Sequence, residues 1–197
     1  MKKFAGFLSM SVLAFTVVGC SDTMSPAAPS AMSVTEEARG GMPSENSRAA
    51  KPTIVGLATS EEYKATFTTL VEALKKAGLV ETFDGKDQFT VFAPTNDAFD
   101  AAAVALLGPG NTGMDLVNGL SVERLTQVLV YHVAQGDRRA QGVVSSGQVQ
   151  MLDGNFAPVT MQGGKFFIAG AEILATDILA SNGVIHVIGF VMVPPNF

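Results

Sequence analysis

The chain is 197 residues long, enough for one domain with length left over, and it carries 13 Lys and Arg against 18 Asp and Glu. This acidic balance, with no basic cluster beyond Arg138 and Arg139, argues against nucleic acid or an anionic membrane surface as the partner. A single cysteine, Cys20, excludes an internal disulfide and a thiolate metal site, so the fold must be stabilised by its hydrophobic core.

The N-terminal residues have the pattern of an export signal. Met1 to Lys3 is a short basic region, and residues 4–18 are mostly apolar but too few to span a bilayer as a helix. The segment ends in 17-VVGC-20, where a small residue directly precedes the cysteine. This ending resembles the lipobox of bacterial lipoproteins. We therefore predict a signal peptide over residues 1–19.

The lipobox resemblance implies a lipid anchor at Cys20. In lipoproteins the signal is cut before the cysteine, a diacylglyceryl group is attached to the thiol, and the new amino group is acylated. Two or three acyl chains anchor a protein stably, since each buried methylene contributes about 0.8 kcal/mol and one chain alone is marginal. Ser21 follows the cysteine, which by resemblance to Gram-negative sorting signals favours the outer membrane over the inner one. An ordinary cleaved signal with a chance cysteine is the alternative.

A polar tether is predicted to separate this anchor from the folded domain. Residues 20–52 comprise the cysteine and a stretch rich in Ser, Ala, Pro and Gly, without an aromatic residue or a sustained period. As a flexible coil this stretch would span roughly 30 Å. A single folded domain is predicted over residues 53–197.

The first predicted element of the domain is an amphipathic helix. Thr59 and Glu62 have capping-box spacing, which predicts that a helix begins there. Gly78 follows two lysines that suit the negative end of a helix dipole, and it is a fitting stop. Apolar residues recur on one helical face at i, i+4, i+7, i+8 and i+11, and they are Tyr63, Phe67, Leu70, Val71 and Leu74.

The stretch 89-FTVFAPTNDAF-99 is predicted to join a strand to a helix. Residues 89–92 are β-prone, and Pro94 ends the strand. Thr95 or Asn96 can cap the helix that follows, because their side-chain oxygens accept from the first free N–H groups of a helix.

A third helix is predicted after the loop 108-GPGNTG-113. Ser121 and Glu123 mark its start, and residues 130–136 then read as extended. The predicted buried stripe of this helix is Val122, Leu125, Val128 and Leu129.

Strands dominate the predicted pattern after Gly136. Asn182-Gly183 is a strong hairpin signal because both central positions of a type I′ turn need positive φ. This hairpin should pair residues 173–179 with residues 184–193. Helices first and strands later predict an α+β domain with a mixed or antiparallel sheet.

Three stretches together resemble the fasciclin-like (FAS1) domain. The junction 89-FTVFAPTNDAF-99 resembles its first sequence block, Tyr131-His132 its central Tyr-His motif, and 180-ASNGVIHVIGFVMVP-194 its second block. Order and spacing agree over residues 53–195, nearly the whole predicted domain. The resemblance implies a compact wedge of mixed and antiparallel β-strands flanked by several helices.

The same resemblance implies a binding protein. Fasciclin-like domains are mainly extracellular, membrane-anchored or secreted adhesion modules that bind other proteins or matrix polymers, and they are not known as enzymes. We therefore expect a monomeric, non-enzymatic domain at the bacterial envelope that contacts a cell-surface or matrix protein or polysaccharide, without cofactor, metal or nucleic acid. The alternative is a periplasm-facing lipoprotein that binds a small ligand or assists envelope assembly, which a Phe-lined pocket between helix and sheet would favour.

The two histidines of the chain, His132 and His186, both lie in apolar runs. A two-histidine metal site or acid–base pair is one interpretation, but a catalytic zinc site usually needs a third protein ligand, and no HxH, HxxxH or G-x-S-x-G spacing occurs. The other interpretation is two buried rings that exchange hydrogen bonds with backbone or hydroxyl groups. The fasciclin resemblance places both rings at structural motif positions, together with Tyr131, Asn182 and Gly183.

The resemblance also singles out three other positions. In animal relatives an Asp-Ile pair just before the second block has been proposed to contact integrins, and Asp177 and Ile178 match it by position. Alternatively, Ile178 is a core strand residue and Asp177 a turn acceptor. Gly189 stands where the second block usually has an aspartate, so no role of that carboxylate carries over. Glycine there costs the strand about 0.5–1 kcal/mol relative to alanine.

Overall fold

The computed structural model describes residues 51–197, so the predicted signal peptide, Cys20 and nearly all of the tether lie outside the described residues. The described residues form seven helices and seven strands. The helices are α1 (Ile54–Ala58), α2 (Lys64–Ala77), α3 (Val80–Phe83), α4 (Asn96–Leu107), α5 (Gly113–Gly119), α6 (Val122–Val130) and α7 (Ala140–Ser146). The strands are β1 (Phe89–Pro94), β2 (Val133–Gln135), β3 (Gln148–Gln150), β4 (Phe156–Gln162), β5 (Lys165–Ile168), β6 (Ala171–Ala180) and β7 (Gly183–Ile188).

All seven strands belong to one mixed sheet, in the order β2-β1-β7-β6-β5-β4-β3. β1 and β7 run parallel, and every other neighbouring pair is antiparallel. The backbone N–H of Leu152, just after β3, donates to the carbonyl of Val133 in β2 at 2.8 Å, which brings the two edges of the sheet together. The α+β prediction is confirmed, and the sheet is rolled into a wedge that is nearly a barrel.

Two hydrophobic clusters occupy the two faces of the central strands. Because successive residues of a strand point to opposite faces, β1 and β7 contribute to both clusters, and β7 is buried at all six positions. The first cluster joins the sheet to helices α1–α6 and includes Phe67, Phe83, Phe99, Leu125 and Ile185. The second cluster lies inside the rolled sheet and includes Phe92, Tyr131, Val149, Ile168, Ile188 and Met192.

The capping-box prediction at Thr59 and Glu62 is wrong. The preceding residues form the unpredicted short helix α1, and Thr59 closes it, with its hydroxyl donating to the carbonyl of Val55 at 2.9 Å. The side chain of Thr59 is therefore already engaged, and α2 begins only at Lys64. The predicted end of α2 is confirmed, because Gly78 takes the left-handed conformation with φ of 69°.

A side chain from α4 supplies the hydrogen bonds that the backbone of α2 lacks at a kink. Phe67 departs from helical geometry (φ −118°, ψ 20°), so the α2 backbone is kinked there. Asn96 fills the gap, since its Oδ1 accepts from the N–H of Thr69 at 3.0 Å and its Nδ2 donates to the carbonyl of Ala65 at 2.7 Å. In a regular helix these two backbone groups would bond to each other. The other predicted cap residue, Thr95, does cap α4.

The predicted pairing of β6 with β7 is present, but the turn lies one residue earlier than predicted. Ala180 faces Gly183 across the hairpin, so the turn residues are Ser181 and Asn182. Asn182 does not have the positive φ that a type I′ turn requires, and its side chain is buried. The pairing also stops at Ile188, where β7 ends.

Two predictions about α6 and α7 need correction. Val122, the first residue of α6, is exposed, whereas the other three residues of the predicted stripe are buried. α7 lies in a region predicted to form strands. The sequence does not indicate this helix, because its small and polar residues have no helical period. The N–H of its first residue, Ala140, donates at 2.9 Å to the carboxylate of Asp177, which is remote in sequence.

Lys76, in the last turn of α2, ties that helix to α5. Its Nζ donates to the carbonyls of Val117, Asn118 and Leu120 at 2.7, 3.0 and 2.9 Å. Carbonyls at the end of a helix have no partner within it, so this ammonium group satisfies α5 from outside. The neighbouring Lys75 instead forms an exposed ion pair within α2.

We predict that Lys76→Met lowers the free energy of unfolding by about 1–3 kcal/mol, because three carbonyls lose a charged donor. Lys75→Met is the matched control and should change stability by less than about 0.5 kcal/mol, as expected for an exposed ion pair. Urea denaturation of both variants measures the difference. Equal stability of the two variants would show that the Lys76 bonds contribute nothing net.

Candidate functional site

His186 lies in β7 with both ring nitrogens bonded to backbone groups. Its Nε2 is 2.9 Å from the carbonyl oxygen of Arg138, and its Nδ1 accepts from the N–H of Asp177 at 3.3 Å. A carbonyl can only accept and an N–H can only donate, so the ring must be neutral with its proton on Nε2. The ring also stacks on Phe92, with 5.4 Å between the centroids.

His132 follows α6 and is bonded in the opposite sense. Its Nδ1 is 2.7 Å from the carbonyl oxygen of Val128, and its Nε2 accepts from the N–H of Met192 at 2.9 Å. The same reasoning makes this ring neutral with its proton on Nδ1. His132 thus joins the end of α6 to the chain that follows β7.

Burial keeps both histidines uncharged near neutral pH. Loss of water lowers the pKa of His132 to about 4, although the bond to the Val128 carbonyl opposes this shift. Burial also lowers the pKa of His186, against the opposing effects of the Arg138 carbonyl and of the nearby Asp177 and Asp137 carboxylates. Neither ring therefore offers a free nitrogen or a proton that could be exchanged at neutral pH.

Asp177 and Ile178, the candidate partner contacts, are engaged within the domain. Asp177 sits in a bulge of β6 with a left-handed φ of 59°, and its Oδ1 accepts from the first N–H of α7. Its own N–H donates to His186. Ile178 pairs with Ile185 of β7 and packs against the first cluster. Both side chains are half-buried, and each holds two segments together.

Asn182 connects the β6–β7 turn to the start of the domain. Its Oδ1 accepts from the N–H of Ile54 at 2.8 Å, and its Nδ2 donates to the carbonyls of Phe83 and Gly85 at 2.8 and 2.9 Å. The side chain thus satisfies the first turn of α1 and the end of α3. Gly183 next to it is required sterically, because a Cβ there would lie 1.9 Å from the Phe89 carbonyl oxygen.

The two remaining positions of the sequence motifs, Tyr131 and Gly189, have different surroundings. Tyr131 is buried in the second cluster, and burial, assisted by the charge of Asp153, raises the pKa of its hydroxyl. At Gly189 an added Cβ would meet only the Leu174 side chain, at 3.4 Å or more. This position can therefore accept a side chain, and glycine is not required there by the fold.

An apolar cavity of about 20 Å³ lies between α1, α2 and the sheet. Its walls include Phe67, Phe83, Phe92 and His132. A cavity needs roughly 10–15 Å³ to hold one water molecule, so this space has no room for a metabolite.

No group of three or more His, Cys, Asp and Glu side chains among the described residues could hold a metal ion. Within residues 51–197, no helix is long and apolar enough to cross a membrane.

Two features of the surface and core were missed by sequence reasoning. The stretch 101-AAAVALLGPGNTGM-114 contains no charged residue, yet much of its apolar surface is exposed. An uncharged run at the end of a helix, followed by a Gly-Pro-Gly loop, could have indicated this surface. The role of Asn96 had no such signal, since the kink it fills belongs to another helix.

Comparison with known proteins agrees with this architecture. A solved structure of a FAS1 domain pair from the insect cell adhesion molecule fasciclin I has the same fold, with a TM-score of 0.61 at 14% identity over 74% of this chain and 52% of that chain. The family model of the Fasciclin domain matches residues 65–194. The chain therefore belongs to the fasciclin family.

Relatives from bacteria and animals extend this result. Protein sll1483 of Synechocystis sp. is 38% identical over 185 residues, which cover 93% of this chain and 96% of that protein. The transforming growth factor-beta-induced protein ig-h3 of Sus scrofa is 33% identical over 129 residues, which cover 66% of this chain but 18% of that protein. The chain thus matches the cyanobacterial protein over nearly its whole length and ig-h3 over a small part.

We predict that His186→Ala lowers the free energy of unfolding by about 1–3 kcal/mol, because the Asp177 N–H and the Arg138 carbonyl lose their buried partner. Thr176→Ala, at an exposed position of the same bulge, should stay within about 0.5 kcal/mol of the parent protein. Thermal and urea unfolding of the two variants test this. Unchanged stability of His186→Ala would contradict the structural role of the ring.

We also predict that stability falls between pH 7 and pH 5. An unfolded chain protonates His132 near 6.5, whereas in the folded protein burial lowers the pKa of that ring to about 4, so unfolding takes up a proton in this window. His132 alone should then cost the folded state about 2 kcal/mol, and the lowered pKa of His186 acts in the same direction. Urea denaturation at the two pH values measures the change. Equal stability would mean that the rings titrate normally in the folded protein.

Proposed function

We propose that this protein is a lipid-anchored, non-enzymatic binding module of the bacterial cell envelope that contacts a protein or polysaccharide at the cell surface or in the matrix. Membership of the fasciclin family supports a binding module. The shared fold with a protein described as an insect cell adhesion molecule supports adhesion. The similarity to protein sll1483 over nearly its whole length supports a bacterial protein built around one such domain.

One observation favours binding over catalysis most strongly: backbone hydrogen bonds occupy both ring nitrogens of His132 and of His186. These are the two side chains that a catalytic hypothesis would use, and each has both nitrogens bonded to backbone. A general acid or base must reach a substrate within hydrogen-bonding distance, which these rings cannot do without local unfolding. Function is accordingly assigned to the outer surface of the domain.

The small-ligand alternative has less support. It needs a pocket between helix and sheet, and the cavity found there measures about 20 Å³. Drug-sized ligands occupy pockets of about 300–1,000 Å³, so the helices would have to move apart to admit one. A role in envelope assembly would use the same outer surface of the domain as adhesion. The two roles differ in the side of the membrane that the domain faces.

The proposed anchor is Cys20, with delivery to the outer membrane. Labelling of growing cells with a palmitate analogue tests it directly, with the full chain and its Cys20→Ser variant side by side. We predict that only the parent chain carries label and sediments with membranes. Label on Cys20→Ser would contradict attachment at this residue, and an unlabelled parent chain would contradict the lipoprotein assignment.

The side of the membrane that the domain faces is tested by protease shaving of intact cells, followed by immunoblotting for the domain and for a periplasmic control protein. We predict loss of the domain while the control survives, as surface adhesion requires. Survival of both proteins would place the domain inside the envelope and contradict adhesion to other cells or to an external matrix.

A further inference from the structure

The segment between β2 and α7, together with part of α7, lines an open groove of about 520 Å³. We call it the arginine groove, and its lining residues are Asp137, Arg138, Arg139, Gln141, Gly142 and Ser145. None of these six residues is aromatic or has a large aliphatic side chain. The centres of protein–protein interfaces are instead enriched in aromatic residues and Met. The arginine groove therefore suits a polar, hydrated ligand better than the surface of another protein.

Both arginines of the groove are held through the Nε atom. Arg138 Nε donates to the carbonyl of Gln135 at 3.3 Å, and Arg139 Nε forms an ion pair with Asp137 Oδ1 at 3.5 Å. The terminal nitrogens of both guanidinium groups have no hydrogen bond or ion pair with another residue in the described part of the chain. Their N–H donors are therefore available to a ligand. A planar guanidinium matches a carboxylate, with which it forms two parallel hydrogen bonds.

The backbone that carries the two arginines is fixed independently of their side chains. The N–H of Arg138 donates to Thr90 Oγ1 at 2.8 Å, and its carbonyl accepts from His186 Nε2 at 2.9 Å. Two residues further on, the N–H of Ala140 donates to Asp177 Oδ1. These bonds tie the segment to β1, β7 and β6. A site that is already formed binds without the entropic cost of ordering its backbone.

We propose that the arginine groove binds an acidic polysaccharide through the carboxylates of its uronic acid residues. This inference rests on the proposed binding function and gives the partner a chemical class. The carboxylate pairs with the guanidinium groups of Arg138 and Arg139. The sugar hydroxyls bond to the Gln141 amide and to the Ser145 hydroxyl, which donates to the Gln141 carbonyl and can still accept.

The charge of the chain favours a polymer whose carboxylates are widely spaced. The chain carries 18 Asp and Glu against 13 Lys and Arg, so a dense polyanion such as DNA, with one charge per about 1.7 Å, is repelled. A uronic acid polymer has at most one carboxylate per sugar. Charges more than about 8 Å apart are largely screened at physiological ionic strength, so each carboxylate responds mainly to the charges of the groove itself. Among these, Asp137 competes for Arg139, which makes Arg138 the stronger contact.

Calorimetric titration of the detergent-solubilised full chain with an oligomannuronate tests the proposal, because this linear oligomer has a carboxylate on every sugar. Arg138→Gln removes one guanidinium group but keeps the backbone bonds of that residue, so the variant should fold, as thermal unfolding checks. Arg138→Lys keeps the charge without the planar fork. Arg124→Gln, which removes the same charge from an exposed position of α6, is the matched control. Neutral dextran, polyglutamate and the mannuronic acid monomer are the comparison ligands.

We expect the oligomannuronate to bind, dextran not to bind, and Arg138→Gln to weaken binding about tenfold through the loss of a charged donor. Arg138→Lys should weaken it less, and Arg124→Gln should leave it unchanged. Absence of binding, or binding that Arg138→Gln leaves unchanged, would overturn the proposal. An equal loss in Arg124→Gln would show a general charge effect and would overturn it too.

The comparison ligands separate this inference from the proposed function. Polyglutamate that binds as tightly as the oligomannuronate would assign the groove to an acidic peptide, which overturns the inference but leaves a protein-binding module. The monomer binding as tightly as the oligomer would assign the groove to a small ligand and also overturn the inference. Palmitate labelling and protease shaving test the anchor and the surface location without reference to the groove.

Discussion

β7 is the strand on which the rest of the structure depends, because it lies between β1 and β6 with all six of its residues buried. A polar group in that position must find its partner inside the protein or cost free energy. Its backbone pairs with both neighbouring strands. The polar side chains at and just before β7, His186 and Asn182, bond to backbone groups outside the sheet. Three segments distant in sequence are thereby fixed to one strand.

This arrangement explains why the motif positions are polar and yet not reactive. Asn182 holds the start of α1 and the end of α3, His186 holds the segment before α7, and His132 holds the chain after β7. Asp177 takes part in the same network as the cap of α7. A residue used in this way serves binding only indirectly, by fixing the loops and helix ends that form the outer surface.

Much of the fold could be predicted from the sequence, because many of its elements depend on residues that are close together in the chain. The apolar period of α2, the glycine after it, and the Thr95 cap depend on residues close together in the chain, and the structure has all three. The α1 helix, the Asn96 contact with the kinked α2 and the capping of α7 by Asp177 could not be predicted. In each of them a backbone group is satisfied by a partner that only the folded state brings near, or the helix is too short to show a period.

The same distinction applies to the site. The burial of His132 and His186 could be expected from their apolar neighbours, but not the carbonyl and N–H groups that bond to each ring. The hairpin signal at Asn182-Gly183 found the right strands while misplacing the turn, because the buried bonds of the Asn182 side chain outweigh the turn preference. The glycine is needed for close approach to β1 instead.

The most direct test of this account is a long-range proton–nitrogen NMR spectrum of the two imidazole rings at pH 6. The hydrogen bonds require two neutral rings of opposite tautomer, with the proton of His132 on Nδ1 and that of His186 on Nε2. Two separate neutral patterns that hold these tautomers would support histidines that serve the fold. Rings that average between tautomers and titrate near the ordinary histidine pKa would show accessible side chains and contradict the account.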